Sequence, residues 1–244
     1  MGRFFLRDYA GAPFDRFGPA HIALLAVTAV LGALMFVWKP GAAGRRTARF
    51  AIAGALAANE LAWHSWNLAV GTWSVKFMLP LHLSGVLVWM TPVLLITGNR
   101  RLFAISYFAG IPGTLLALLL PELGSYGLPH FRVVSFFIAH ILLFLAPLYL
   151  IGVEGMRPGG RDAWATWGGL AVYTAAVMGV NELLGSNYLF VSGRPTVAEA
   201  PNVLERWPWY VMTQALAALG LMHALNLPFV LRRRKRPDAV ESAA

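Results

Sequence analysis

Residues 132–153 read RVVSFFIAHILLFLAPLYLIGV, a run of 22 positions whose single charge, Arg132, stands at its first position. A run of about 20 apolar residues is long enough to cross the hydrocarbon core of a bilayer as one helix. Similar runs occupy residues 19–38, 48–70, 75–97, 102–120, 164–184 and 208–231. The sequence therefore predicts an all-α, polytopic membrane protein whose seven helices form a transmembrane bundle.

The composition of the 244-residue chain supports this prediction, because 58% of the residues are hydrophobic and only 13% are charged. An ordinary soluble domain is about 25% charged, so a free-standing soluble enzyme and a disordered chain are both excluded. The absence of cysteine excludes disulfides, thiolate metal sites and a cysteine nucleophile. We expect an interfacial N-terminal segment at 1–18, a seven-helix transmembrane domain at 19–231 and a basic cytoplasmic tail at 232–244.

The net charge of +9 is unevenly distributed over the two sides of the predicted bundle. Of the 20 lysines and arginines, 13 fall on the side that carries the C-terminal tail. Because the more basic side of a membrane protein faces the cytoplasm, we expect the N-terminus outside and the C-terminus inside. The basic run at 232–236 fits a stop-transfer anchor on anionic lipid, and no nucleic-acid partner is expected.

Polar side chains within the apolar segments gather in the half nearer the predicted outer face. Ser84 is nine residues into the third segment and His140 eight residues into the fifth, so both are expected roughly 12–14 Å below the outer end of a helix. Pro80 is expected to bend the third helix just above Ser84. The supporting polar cluster is predicted to comprise Glu60, His64, His82, Asn181, Asn187, Tyr188 and Gln214.

The sequence separation between these residues indicates which of them share a face of a helix. Glu60 and His64 are four residues apart on one helix, so they can share a hydrogen bond. His82 and Ser84 are two apart and point to different faces, which leaves His140 as the base of matching depth. Each residue also has a structural interpretation, since a membrane serine usually bonds its own backbone and a buried histidine often joins two helices.

Other sequence features narrow the function. Because the only lysines are Lys39, Lys76 and Lys235, a retinal Schiff base in the last span is excluded, and neither a phosphate-binding loop nor a zincin motif occurs. No metal and no cofactor is predicted, although a bis-histidine haem or metal site at His82 and His140 stays an alternative. The long connection at 185–207 suggests a functional lid. Cations expected near a phosphate headgroup are Lys76, Arg132, Arg194 and Arg206.

The string Leu79-Pro80-Leu81-His82-Leu83-Ser84 resembles the Leu-Pro-Leu-His-Leu-Cys signature of the YwaF-like bacterial integral membrane proteins. Further residues fit the same pattern over roughly residues 15–230: His21, Glu60, Trp63, His140, Asn181, the stretch 185–190 and the stretch 207–210. This group is similar to the transmembrane protein 164 family of acyltransferases, which move a fatty acyl chain between phospholipids with a Cys–His pair.

The resemblance implies that Ser84 stands at the nucleophile position and His140 at the base position, in a bacterial plasma membrane. More distant relatives, the androgen-induced lipid hydrolases, use a threonine hydroxyl with histidine, so serine is chemically suitable. We therefore expect a lipid acyltransferase or acyl hydrolase that acts on outer-leaflet phospholipid through an acyl-enzyme, with lysophospholipid or water as acceptor. His82 and Asn181 are candidate oxyanion donors. The alternative is a transporter or binding protein for a small polar solute or cation, built on Glu60 and the histidines.

Overall fold

The computed structural model describes residues 4–193 and 207–234, and within these ranges all regular structure is helical. The longer helices are listed here in chain order: α1 (Pro19–Val37), α2 (Ala42–Ala69), α3 (Leu83–Thr97), α4 (Arg100–Leu119), α5 (Phe131–Gly152), α6 (Asp162–Leu184) and α7 (Trp209–Arg234). A short 3-10 turn, Tyr188–Phe190, follows α6. The prediction of an all-α fold is confirmed.

Five of these helices are long and apolar enough to cross a membrane, namely α1, α4, α5, α6 and α7. The prediction of an integral membrane protein is thereby confirmed, and five of the seven predicted spans meet these criteria of length and hydropathy. α2 has 28 residues, but polar side chains such as Glu60 and His64 lower its hydropathy. α3 is apolar and has only 15 residues.

The beginning of α3 differs from the prediction of a helix over 75–97. Residues 75–82 form turns, with the amides of Phe77 and Met78 both donating to the carbonyl of Ser74 at 3.0 and 2.8 Å. Proline disfavours helical geometry in the residue before it, so Pro80 ends up ahead of the helix and the predicted kink is absent. Ser84 is consequently the second residue of α3, instead of lying nine residues into a longer span.

Two further features of the helices were not predicted from the apolar pattern. α2 begins at Ala42, six residues before the apolar segment, so Arg45 and Arg46 are already helical. α4 contains a π-helical turn at Ser106–Gly110, and all five of its residues are buried. The other helix ends lie within two residues of the predicted ones, the usual uncertainty of a helix boundary, except that α7 ends at Arg234, three residues beyond the predicted segment.

Contacts at both ends of α2 show in which direction the neighbouring helices α3 and α5 run. The Tyr149 hydroxyl near the end of α5 donates to the Arg45 carbonyl at 2.9 Å, whereas Trp66 packs against Phe131 at the beginning of α5, with 5.7 Å between ring centres. α2 and α5 are therefore antiparallel. The Arg49 guanidinium lies 3.2 Å from where a Cβ on Gly98 would stand, so α3 ends beside the beginning of α2. It follows that α3 runs parallel to α5.

The described N-terminal residues cover the end of the bundle where α2 ends and α5 begins. The carbonyls of Phe5 and Leu6 accept hydrogen bonds from the rings of Trp66 and His130, both at 2.9 Å. The Tyr126 hydroxyl donates to the Arg7 carbonyl at 2.7 Å. The segment before α1 is thus tied to the bundle rather than separate from it.

Candidate functional site

The Ser84 hydroxyl has no hydrogen-bond partner among the residues that the structure describes, and its side chain is half-buried. Several helical threonines elsewhere bond the carbonyl four residues earlier in their own helix, as Thr28 does with Leu24 at 2.7 Å. Ser84 lacks that option because the carbonyl four residues earlier, that of Pro80, lies outside the helix. Its position in the first turn therefore leaves the hydroxyl unengaged.

His140 lies in the interior of α5 with 9% of its surface exposed. Its Nδ1 is 2.8 Å from the Phe136 carbonyl oxygen, and its ring stacks on the Phe136 ring at 4.1 Å. A carbonyl oxygen only accepts hydrogen bonds, so Nδ1 carries the proton. The lone pair of the neutral ring is then on Nε2, for which the described part of the chain provides no donor.

Three other histidines have both ring nitrogens engaged, so they hold the fold together. In each, Nδ1 accepts a hydrogen bond and Nε2 faces an oxygen atom. The partners are Phe17 and Leu118 for His21, Trp73 and Glu60 for His64, and Arg132 and Leu6 for His130. None of these three rings has a free lone pair, which distinguishes them from His140.

The packing of α3 against α5 shows how Ser84 and His140 compare in their positions along the bundle. Leu87 and Val88 of α3 share one buried cluster with Leu143 of α5. Residues three or four apart lie on the same face of a helix, one turn from each other. Because α3 and α5 are parallel, Ser84 and His140 each lie one turn from this cluster toward the same end of the bundle.

The amide of Asn181 is committed to the chain that follows α6. Its Nδ2 donates to the Tyr188 carbonyl at 2.9 Å, and its Oδ1 accepts from the Tyr188 amide at 2.8 Å and the Ser186 hydroxyl at 2.9 Å. Asn187 makes a similar local set, accepting from the amides of Ser192 and Gly193. These contacts give both asparagines a structural role in the turn, where Asn181 was expected as an oxyanion donor.

Tyr188 and His82 connect that turn to the segment before α3. The buried Tyr188 hydroxyl accepts from the Leu79 amide at 2.9 Å and donates to the Val75 carbonyl at 2.6 Å. His82, at the N-cap position of α3, accepts from the Leu189 amide at 3.3 Å through Nδ1. Burial lowers the pKa of His82, an effect that the negative charge of Glu122 opposes. A neutral His82 with Nδ1 as acceptor presents Nε2–H as a donor.

The predicted pair of Glu60 and His64 is confirmed, with 3.2 Å between Oε1 and Nε2. The Trp73 indole donates to His64 Nδ1 at 3.1 Å, so Nδ1 is unprotonated and His64 is neutral. Nε2–H therefore donates to the Glu60 carboxylate. The carboxylate thus has a neutral partner on its own helix.

The structure describes two of the four cations that were predicted near a phosphate headgroup, Arg132 and Lys76. The Arg132 guanidinium lies over the rings of Trp63 and Tyr126, at 5.6 and 5.3 Å from their centres, and Lys76 is exposed beside Gly185. Arg194, Arg206 and most of the predicted lid at 185–207 lie outside the described residues. Gln214, predicted in the supporting polar cluster, is exposed on α7.

The sequence analysis missed Gly85, Glu122 and Tyr173. A Cβ on Gly85 would stand 3.1 Å from the Pro80 Cα, and Tyr173 donates to the Leu81 carbonyl at 2.9 Å. Pro80 was a signal for a later helix start, because a proline disfavours helical geometry in the residue before it. Among the described residues no group of three or more His, Cys, Asp or Glu side chains is arranged to hold a metal ion.

Comparison with known proteins gives one match. The model of the TMEM164 family matches residues 16–225, which include α1 to α6 and the greater part of α7. No curated protein and no solved structure matches the chain.

Proposed function

Because the chain belongs to the TMEM164 family, we propose that it is an intramembrane lipid acyltransferase or acyl hydrolase in which Ser84 is the nucleophile and His140 the base. Its substrate is an outer-leaflet phospholipid, and its seven helices cross the membrane with the N-terminus outside and the C-terminus inside. The observation that carries the proposal is the hydrogen bond from His140 Nδ1 to the Phe136 carbonyl, because it leaves the Nε2 lone pair to accept a proton.

The reaction would proceed in two balanced halves. In the first, Ser84 Oγ forms a bond to the ester carbonyl carbon while its proton passes to His140 Nε2. The carbon–oxygen bond to the lysolipid then breaks, and the departing alkoxide takes that proton. In the second half, a lysophospholipid hydroxyl or water gives its proton to Nε2 and attacks the acyl-serine ester. Ser84 Oγ leaves and recovers the proton.

The beginning of α3 favours negative charge near Ser84. The first amide groups of a helix have no acceptor within the helix, and the His82 side chain makes no capping bond to them. Amide donors and the positive end of the helix dipole are suited to stabilise a developing oxyanion. The Nε2–H of His82 is a further candidate donor at the same place.

Charge at the two ends of the bundle supports the proposed orientation. The end near Ser84 carries Arg132, held against Trp63 and Tyr126 where a phosphate would meet it. The opposite end carries a larger basic set: Lys39, Arg45, Arg46, Arg49, Arg100, Arg101, Arg157 and Arg161. Basic residues accumulate on the cytoplasmic side, so this end faces inward and Ser84 outward.

Fluorophosphonate labelling of the purified protein tests the proposal. Ser84 Oγ would displace fluoride from phosphorus, and the adduct would be located by intact mass and peptide mapping. Ser84→Ala is expected to abolish the adduct, whereas Ser65→Ala, which changes an exposed serine of α2, is expected to leave it unchanged. Labelling that persists in Ser84→Ala would overturn the assignment. Radiolabelled phospholipid with and without lysophospholipid separates transfer from hydrolysis.

A second candidate function rests on Glu60, whose described partner is the neutral His64. A carboxylate in such a place attracts a proton or a small cation, as in transporters. Proteoliposomes loaded with a pH-sensitive dye would detect this activity. Flux that is lost in Glu60→Gln and kept in Ser84→Ala would favour transport over acyl transfer.

A further inference from the structure

We propose that Tyr188 is a positioning residue for Ser84, holding the segment 75–82 so that the first turn of α3 presents the serine hydroxyl to His140. This inference rests on the proposed function, and it assigns a role to the chain after α6 that does not involve contact with substrate.

The phenol of Tyr188 makes two hydrogen bonds to the backbone of the segment before α3. It accepts from the Leu79 amide at 2.9 Å and donates to the Val75 carbonyl at 2.6 Å. The Tyr188 side chain is 0% exposed, so its hydroxyl has no bulk water as an alternative partner. Removing the hydroxyl would release both the Leu79 amide and the Val75 carbonyl from the turn after α6.

The Tyr188 backbone is itself held in place. Asn181, which is 2% exposed at the end of α6, bonds both the amide and the carbonyl of Tyr188. The Ser186 hydroxyl completes the set by donating to Asn181 Oδ1. The Tyr188 side chain is therefore anchored to the end of α6 through its backbone.

The held segment leads directly into the serine. Leu79 precedes Ser84 by five residues, and the Pro80 backbone packs so closely on Gly85 that an added Cβ would stand 3.1 Å from the Pro80 Cα. Tyr173 bonds the Leu81 carbonyl, and the Leu189 amide bonds His82. All of these bonds come from α6 or the turn after it, so that part of the fold determines where α3 begins.

The first turn of a helix is its least constrained part, because its amides lack helical acceptors. Ser84 lies in that turn, whereas His140 lies nine residues inside α5. A displacement of the segment 75–82 would thus move the nucleophile and leave the base in place. A misplacement of about 1 Å between reacting groups can cost about a hundredfold in rate.

Tyr188→Phe removes only the hydroxyl, and Tyr149→Phe is a matched control. Tyr149 is also 0% exposed, and its hydroxyl lies within hydrogen-bond distance of two acceptors, the Arg45 carbonyl at 2.9 Å and Glu154 Oε1 at 2.8 Å, at the opposite end of the bundle. The test measures the maximal rate constant and the half-saturation concentration for fluorophosphonate labelling of Ser84. We expect Tyr188→Phe to lower the rate constant at least tenfold with less than a twofold change in half-saturation, and Tyr149→Phe to change neither.

Hydrogen exchange of the peptide containing residues 75–85 provides the second measurement. We expect faster exchange at the Leu79 amide in Tyr188→Phe and not in Tyr149→Phe. Equal labelling rate constants for the two variants would overturn the inference, even if Tyr188→Phe is less stable. If wild-type Ser84 does not label at all, the proposed function fails and the positioning role fails with it.

Discussion

His140 donates a hydrogen bond of 2.8 Å from Nδ1 to the carbonyl oxygen of Phe136, one turn earlier on α5. Histidines that serve as bases commonly have one nitrogen oriented by such a bond, so that the other is available for proton transfer. Here the orienting group is the backbone of the same helix. In the proposed mechanism no carboxylate is needed to choose the tautomer, although a carboxylate would also stabilise an imidazolium.

Replacing His140 tests whether this ring is the base. His140→Gln keeps a polar side chain and removes the basic lone pair, so labelling of Ser84 should slow by at least about a hundredfold. His223→Gln is the control, because His223 lies on α7 against Trp164, 4.8 Å between ring centres. A labelling rate in His140→Gln equal to that of the control would exclude His140 as the base.

The stability of the protein should depend on pH through His130. Burial lowers the pKa of His130 and nearby Arg132 lowers it further, whereas the bond to the Leu6 carbonyl raises it. The unfolded chain therefore binds a proton more readily than the folded one. The stabilising contribution of neutral His130 is complete above about pH 6.5 and is lost as the pH falls through the lower folded-state pKa.

His130→Asn keeps a residue suited to the N-cap of α5 and removes the titrating group. Melting temperatures in detergent between pH 5 and 8 should then fall less steeply on acidification than those of the wild type. An identical pH dependence in the two proteins would show that His130 does not carry this effect.

Two glycines that are both helical should respond oppositely to alanine. Gly85→Ala places a Cβ 3.1 Å from the Pro80 Cα, a backbone atom that cannot turn away, at a cost of about 1–3 kcal/mol. Gly54→Ala, in α2, meets nothing within 4 Å and should stabilise the helix by about 0.5–1 kcal/mol. The melting temperature should fall for the first variant and rise for the second. A rise for both would mean that Pro80 moves aside easily.

Asn181 and Gln214 are both predicted in the supporting polar cluster, but Asn181 is buried and Gln214 is exposed. Asn181→Ala leaves the Tyr188 amide and carbonyl without their buried partner, at about 1–3 kcal/mol for each unsatisfied group. Gln214→Ala changes an exposed side chain and should stay within about 0.5 kcal/mol of the wild type. Thermal unfolding of the two variants checks this, and comparable losses would contradict the placement of Gln214.

Features that depend on local spacing could be read from the amino acids. The apolar runs predicted the candidate membrane spans within α1, α4, α5, α6 and α7 to within two residues at each end, since about 20 apolar residues are stable as a helix in lipid whatever surrounds them. The contact of Glu60 with His64 also followed from spacing, because residues four apart meet on any α-helix. The interior position of His140 in α5 likewise followed from its place in the apolar run.

Tertiary contacts decided the rest. Pro80 disfavours helical geometry in the residue before it, but the placement of the segment ahead of α3 also involves Tyr188, which bonds the Leu79 amide from 109 residues away in the chain. The tautomer of His140 depends on the rotation of its ring against Phe136, which packing sets. The amino-acid order alone determined that this chain forms apolar helices, because that outcome is local. Which polar atoms remain unengaged was decided only when distant segments came together, because a hydrogen bond requires both partners in place.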